Sequence, residues 1–306
     1  MQSIYIAALV TAGLSLSVWG GMLLWRSPRA QWPLLGLAVM LQLPMSILAF
    51  HGIRLPLDAA LKTFFADGPV PGWVMLLYAP LTEEPAKLWP LLLPTFRRAL
   101  NERTALHLAT ALGLGFGIGE MGLVASFVSN QPQLASLAWY QFGGFMNERF
   151  LVSIMQGAFT ASCLVLWQKR RWPLVAGLAV AMGLHLLGNL PLGLGPLWNQ
   201  LFGRGGTQIF LSLWVFIYFM LMLLLLVYLE TESLHPGLFL FGQARCPSCA
   251  VVYSRPLFLA MNFGTRRYER CPKCCKWHWI PLRGAAGPPP LPNSEPPQDN
   301  PSNREP

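Results

Sequence analysis

The sequence predicts an all-α polytopic membrane protein of about seven transmembrane helices, followed by a small cysteine-bearing β unit and a disordered extension. Three observations carry that reading. Of the 306 residues 54% are apolar or aromatic and only 11% are charged, whereas soluble domains carry roughly 25% charged residues. The apolar residues fall into runs of the length a bilayer core demands, about 20 residues per helix. Five of the six cysteines lie between 246 and 275, too few and too clustered for a secreted disulfide scaffold. With a mean hydropathy of +0.44, these exclude a single soluble globule, a disordered chain and a coiled coil.

The seven runs are approximately 4–25, 33–53, 72–95, 105–129, 148–167, 173–195 and 208–229. The first is not read as a cleaved signal peptide, because no basic stretch precedes it and no small-residue cleavage pattern follows. The connecting loops alternate in charge. Arg26 and Arg29, then Arg97, Arg98 and Arg103, then Lys169, Arg170 and Arg171 place eight basic residues in the loops after runs one, three and five. The longer loops after runs two, four and six hold only Arg54, Lys62, Arg149 and Arg204. Basic residues concentrate in short cytoplasmic loops, so the expected arrangement in the plasma (inner) membrane has the N-terminus outside and the tail in the cytoplasm. Much of the formal net charge of +9 therefore falls on one side. The expected domains are a membrane domain over 1–230, a compact unit over 243–283 and a proline-rich tail over 284–306. That tail lacks apolar periodicity and is expected to be disordered.

Five ionisable residues fall inside the apolar runs: Glu83, Glu84, Lys87, Glu120 and His185. Each such group near a bilayer centre costs on the order of 2.5–3.5 kcal/mol on insertion scales, unless the groups face one another across a polar cavity. Glu83 lies roughly 16 Å in from the outer start of its run at 1.5 Å per residue, a depth similar to that expected for Glu120 and His185. Lys87 follows Glu83 by four residues and Glu84 by three, so its ammonium can reach either carboxylate. Pro85 kinks the helix beside them and frees the carbonyl of Leu81. The alternative for this group is a structural ion pair between helices.

The run from Leu112 to Gly122 reads LGLGFGIGEMG. No strand precedes it, so it is not a phosphate-binding loop. Gly113 with Gly117, and Gly115 with Gly119, have the small-xxx-small spacing that lets helices approach closely. In run six, His185 and Asn189 are four residues apart and share a helix face. They read either as oxyanion donors or as an ordinary interhelical hydrogen-bonding pair.

Taken together, Glu83-Glu84-Pro85-Ala86-Lys87, Phe116 through Glu120 and His185 through Asn189 resemble the PrsW family of intramembrane proteases, related to CAAX-prenyl proteases and bacteriocin-processing enzymes. The family pattern is EExxK, then FxxxE, then HxxxD or HxxxN, and the likeness covers about 70–195. It implies an intramembrane endopeptidase acting on a membrane-anchored protein. Glu83 would activate water, Glu84 and Lys87 would position it, and Glu120 would hold a second proton site. His185 and Asn189 would stabilise the oxyanion. No catalytic metal is expected, although a zinc variant would use the same side chains. Some relatives carry a further histidine where this chain has Gln156, a residue that hydrogen-bonds without shuttling a proton. The alternatives are a non-catalytic membrane scaffold or receptor of the same fold and, less favoured, an ion-coupled transporter.

Beyond the membrane domain, Cys246-Pro247-Ser248-Cys249 and Cys271-Pro272-Lys273-Cys274 form paired CxxC turns. Four thiolates so spaced suit a structural zinc ribbon, with strands expected at Val251–Tyr253 and Arg267–Arg270. Cys275 reads as a substitute ligand or a free thiol, and Cys163 as a packing residue. Residues 245–283 hold eight basic residues and one acidic. That balance, with Tyr268, Trp277 and Trp279, points first to anionic lipid headgroups. Nucleic acid and acidic protein segments are the other candidates.

Overall fold

The computed structural model describes residues 3–64, 72–102, 104–134, 136–169, 172–234, 243–254, 260–263 and 266–281. The tail expected at 284–306 lies outside the described residues, as do Arg103, Arg170 and Arg171 of the loop-charge argument. The chain divides into two units, Met1–Ser233 and Leu234–Pro306.

In the first unit, six helices among the described residues are long and apolar enough to cross a membrane. We label them, with two shorter helices, α1 (Ser3–Arg26), α2 (Arg29–Phe64), α3 (Gly72–Lys87), α4 (Pro94–Ala99), α5 (Ala105–Ser129), α6 (Gly143–Lys169), α7 (Leu174–Gly193) and α8 (Gly195–Leu234). The run expected as one helix over 72–95 is broken. Its α3 has 16 residues and gives way to a 3₁₀ turn at Trp89–Leu92 and then to α4. The break falls at Pro90, in the 3₁₀ turn, and Pro94, the first residue of α4, each of which disfavours helix just before it, whereas Pro80 and Pro85 lie inside α3. At 1.5 Å per residue α3 is only about 24 Å long. The second run, expected to end near 53, instead continues through a π-helical turn at Phe50–Arg54 to Phe64.

The unit is built around α5, whose glycines serve two neighbours at once. A Cβ on Gly113 would lie 2.2 Å from the backbone oxygen of Gln156, and one on Gly117 would lie 2.8 Å from the Cα of Ser153, both on α6. A Cβ on Gly115 or Gly119 would lie 2.4 or 2.0 Å from the carbonyl oxygen of Val39 or Leu43 on α2. The small-xxx-small pattern therefore seats one backbone on each side of α5. On α1, the Trp19 indole N–H donates to Phe150 O at 2.9 Å, and Tyr5 Oη lies 3.3 Å from Ser129 Oγ. Helix α7 packs on α6 through Gly177, whose Cβ would sit 2.6 Å from Cys163 O, and Cys163 is buried in the core as a packing residue. Tyr218 of α8 donates to Leu184 O at 2.5 Å, and Trp214 donates to Gly188 O at 3.1 Å. Within α8, Gly203 adopts φ 68° and ψ 172°, which divides the element into two helical segments; a β-carbon is strained there.

Gly113→Val is expected to destabilise the helical unit by about 3 kcal/mol or more, since both sides of the clash are backbone. At Gly122 an added Cβ meets nothing within 4 Å, so Gly122→Ala is expected to be neutral or to stabilise by up to about 1 kcal/mol. Thermal unfolding of the two variants in detergent checks the pair.

The second unit contains five short strands among the described residues: β1 (Gln243–Arg245), β2 (Val252–Ser254), β3 (Ala260–Phe263), β4 (Arg266–Arg270) and β5 (Trp277–Pro281). Strands β1 and β2 pair antiparallel, and β3-β4-β5 form a second antiparallel sheet. Its small core holds Ala244, Tyr253 and Ile280 around the cysteines. Beneath β4, Glu269 is fully buried, accepts from Tyr253 Oη at 3.1 Å and pairs with Arg267 at 3.1 Å.

Candidate active site and cysteine cluster

Near the C-terminus of α3 the chain presents Glu83, Glu84 and Lys87, all at most 5% exposed. The helix end is itself satisfied inside the core, where the buried Gln42 side chain donates to Lys87 O at 2.6 Å. Consecutive residues on a helix point about 100° apart, so the two glutamates serve different neighbours. Glu84 Oε1 lies 2.5 Å from Lys87 Nζ and 2.6 Å from His185 Nδ1. Glu83 Oε1 pairs with Arg54 Nη1 at 3.1 Å, and its Oε2 stands 3.9 Å from His185 Nε2. The expectation that Lys87 could serve either carboxylate resolves onto Glu84, where Gln156 of α6 meets Lys87 and His185 of α7 meets Glu84.

Glu120, one turn beyond Phe116 on α5, pairs with Arg149 at 3.2 Å and accepts from Gln156 Nε2 at 3.2 Å. Gln156 turns its oxygen to Lys87 Nζ. Each acid of the network thus meets a base: Glu83 pairs with Arg54, Glu84 with Lys87 and Glu120 with Arg149, which also holds Glu148 at 2.6 Å. His185 links the first two pairs and Gln156 links the last two. This near-neutral network is how the helices hold so many buried ions, each of which is costly when unpaired. Aromatic rings enclose it. Lys87 Nζ lies 5.1 Å from the Phe116 ring centroid and 5.6 Å from that of Phe159, within cation–π range, and Phe159 stacks on the His185 imidazole at 5.2 Å. The Phe116-to-Glu120 spacing therefore covers the ammonium with one residue and reaches Arg149 with the other.

A cavity of about 210 Å³ opens beside the network. Glu83, Glu120, His185 and Asn189 line it together with Arg54 and Arg149. Glu84 and Lys87 are not among its lining residues and stand behind it. Of the six sequence candidates, four reach the cavity and two support them from the rear. Among the lining residues, Arg54 Nε, Arg149 Nε and Glu83 Oε2 are each buried with no hydrogen-bond partner; the acceptor of the three is Glu83 Oε2. The gap of 3.9 Å between it and His185 Nε2 is too long for a direct hydrogen bond. It admits one oxygen atom in contact with both at about 2.8 Å. The cavity lies toward the C-terminal ends of α5 and α7 and the N-terminal end of α6, the end at which Tyr5 near the chain's start also sits.

Sequence reasoning missed Arg54 and Arg149, which it assigned to connecting loops. Arg54 escaped notice because α2 continues past its apolar run. A signal for Arg149 was present: Arg149, Ser153, Gln156 and Thr160 recur at helical spacing and are all buried, a polar stripe along α6.

In the second unit, the Sγ atoms of Cys246, Cys249, Cys271 and Cys274 all lie within 4.8 Å of one another. The separations of Cys246 from Cys274 and of Cys249 from Cys271 are both 3.6 Å. Sulfurs held at 2.3 Å around a tetrahedral ion stand about 3.8 Å apart, whereas a disulfide requires about 2.05 Å. The quartet is shaped for a metal ion. Two matching knuckles build it: Cys246 N donates to Val251 O at 2.9 Å, and Cys271 N donates to Lys276 O at 3.0 Å. Each knuckle places the residue after its second cysteine at positive φ, Ala250 at 56° and Cys275 at 58°. Cys275 is exposed and stands outside the quartet, occupying this backbone position rather than a ligand position. Of the coupled thiols, that of Cys271 is lowered against the effect of burial by the backbone N–H groups of Cys274 and Lys273 and by the neighbouring thiols, while those of Cys249 and Cys274 are pushed up. Compared with models of known protein families, with curated proteins and with solved structures, the chain matches none.

Proposed function

We propose that this protein is an intramembrane endopeptidase that hydrolyses a peptide bond of a membrane-anchored protein. The observation that carries the reading is the unpartnered, buried Glu83 Oε2 facing His185 Nε2 across 3.9 Å inside a polar cavity. In this scheme a water seated in that gap gives its proton to Glu83 and attacks the scissile carbonyl, and Glu83 passes that proton to the departing amine as the C–N bond breaks. Asn189 offers an amide donor to the developing oxyanion. His185 presents Nε2 to the same water, and Glu84, 2.6 Å from Nδ1, fixes the orientation of the ring. Glu84 and Lys87 are thus positioning residues for His185, and Arg54 holds the second oxygen of Glu83. The motif likeness to PrsW proteases supports the same assignment, with α3, its 3₁₀ turn and α4 as a broken seventh crossing. The loop charges favour an outside N-terminus and a cavity near that side.

One observation favours a second reading: every buried acid has a basic partner, as a non-catalytic scaffold would require. Comparing the membrane-derived peptides that accumulate with the wild type and with the Glu83→Gln form separates the two. The proposal expects products that appear only with the wild type; identical peptide sets would sink it.

We assign zinc to the cysteine quartet, on its S₄ donor set and spacing. With so small a core, the second unit depends on that ion to fold. Cys271→Ser, or a strong chelator, is expected to raise amide exchange across β4 and β5 to the unfolded rate while the helical unit keeps its thermal transition. Exchange mass spectrometry on the full chain reads both.

A further inference from the structure

In the β3-β4-β5 sheet, Tyr268 is paired with Trp279, Arg270 with Trp277 and Arg266 with Pro281. Side chains alternate along a strand, so these residues share one face, and Arg267, Glu269 and Ile280 share the other. The second face is the buried one. On the first, Tyr268 stacks with Trp277 at 5.1 Å and packs against Trp279 at 4.9 Å. The two indoles remain 42% and 49% exposed. Arg266 and Arg270 flank them, both exposed, and Arg245, Lys273 and Lys276 are exposed elsewhere on the unit. Its one acidic residue among those described, Glu269, is buried against Arg267. The described outer surface therefore carries five cations and no anion.

We infer that this face docks on an anionic phospholipid surface, with Trp277, Trp279 and Tyr268 in the interfacial layer and Arg266 and Arg270 on headgroup phosphates. Tryptophan and tyrosine favour that layer because their rings are apolar and their N–H and O–H groups are polar. Each arginine adds attraction to acidic lipid. Single-stranded nucleic acid would meet the same charge and also stack on indoles. The chain connection decides between them: β1 begins nine residues after α8 ends at Leu234, and α8 is long and apolar enough to cross a membrane, so a bilayer that it crosses is offered to the unit at high effective concentration.

The test uses the full-length, 5-fluorotryptophan-labelled protein in nanodiscs of phosphatidylcholine with or without phosphatidylglycerol. The resonances of residues 277 and 279 are assigned through Trp→Phe variants. A nitroxide on the lipid headgroup is expected to broaden both in the anionic discs. Arg266→Glu, at an exposed position, is expected to weaken that docking roughly five-fold or more, and Trp279→Ser to weaken it separately with the cysteine site intact. If both indoles stay equally open to a soluble paramagnetic chelate in the two kinds of disc, the inference fails. It fails equally if single-stranded RNA draws the face off the anionic bilayer.

Discussion

Glu83→Gln is expected to lower the cleavage rate about 10²–10⁴-fold, the usual worth of a positioned general base, with little change in stability. The amide matches the carboxylate in size and still offers an oxygen to Arg54. That guanidinium is 25% exposed, so solvent can make up what the lost charge supplied. What disappears is the carboxylate oxygen that faces His185 Nε2 across the cavity gap. Glu83→Asp withdraws the carboxylate by about one bond length and should fall between the two forms. Initial rates on a membrane substrate, read beside the thermal transition of each variant, separate chemistry from folding. A Glu83→Gln protein that cleaves at the wild-type rate would remove Glu83 from the mechanism.

Lys87→Met is expected to cost about 3–5 kcal/mol, the penalty for removing one member of a buried ion pair. The ammonium is fully buried, holds Glu84 and Gln156 together and lies against two aromatic rings. Without it, a 1% exposed carboxylate and an amide oxygen face hydrocarbon. The double variant Glu84→Gln/Lys87→Met removes the stranded charge, keeps a hydrogen-bonding group beside His185 and should regain much of the loss. Thermal unfolding in detergent checks both. A single variant within about 1 kcal/mol of the wild type would show that water already reaches Lys87.

How much of the candidate site the sequence made legible depended on local spacing. The EExxK, FxxxE and HxxxN segments each fix relative positions within one helix, and all three sets of residues meet around one network. The glycine pairs of α5 were legible for the same reason, since four-residue spacing fixes a helix face. Legibility stopped where two distant segments choose between partners. Lys87 has both glutamates within helical reach, and only the neighbours brought by α6 and α7 assign it to Glu84. Gln156 looked like a missing histidine, whereas the fold uses it to bridge Lys87 to Glu120. The broken third run shows a different limit: average hydropathy over 72–95 registers composition, while Pro90 and Pro94 act on individual hydrogen bonds.

The chain's composition and short-range spacing by themselves determined that this is a membrane protein of long apolar helices, with buried acids and bases at defined intervals and four cysteines in two matching turns. Those properties follow from helix periodicity and the cost of charge in hydrocarbon, which act within a few residues. Only the tertiary structure decided that Arg54 and Arg149 complete the charge pairing, that Glu84 and Lys87 stand behind the cavity, and that Glu83 keeps one oxygen unpartnered. Each of those outcomes depends on which helices touch, and that contact is set by backbone approach over glycines a whole chain segment away.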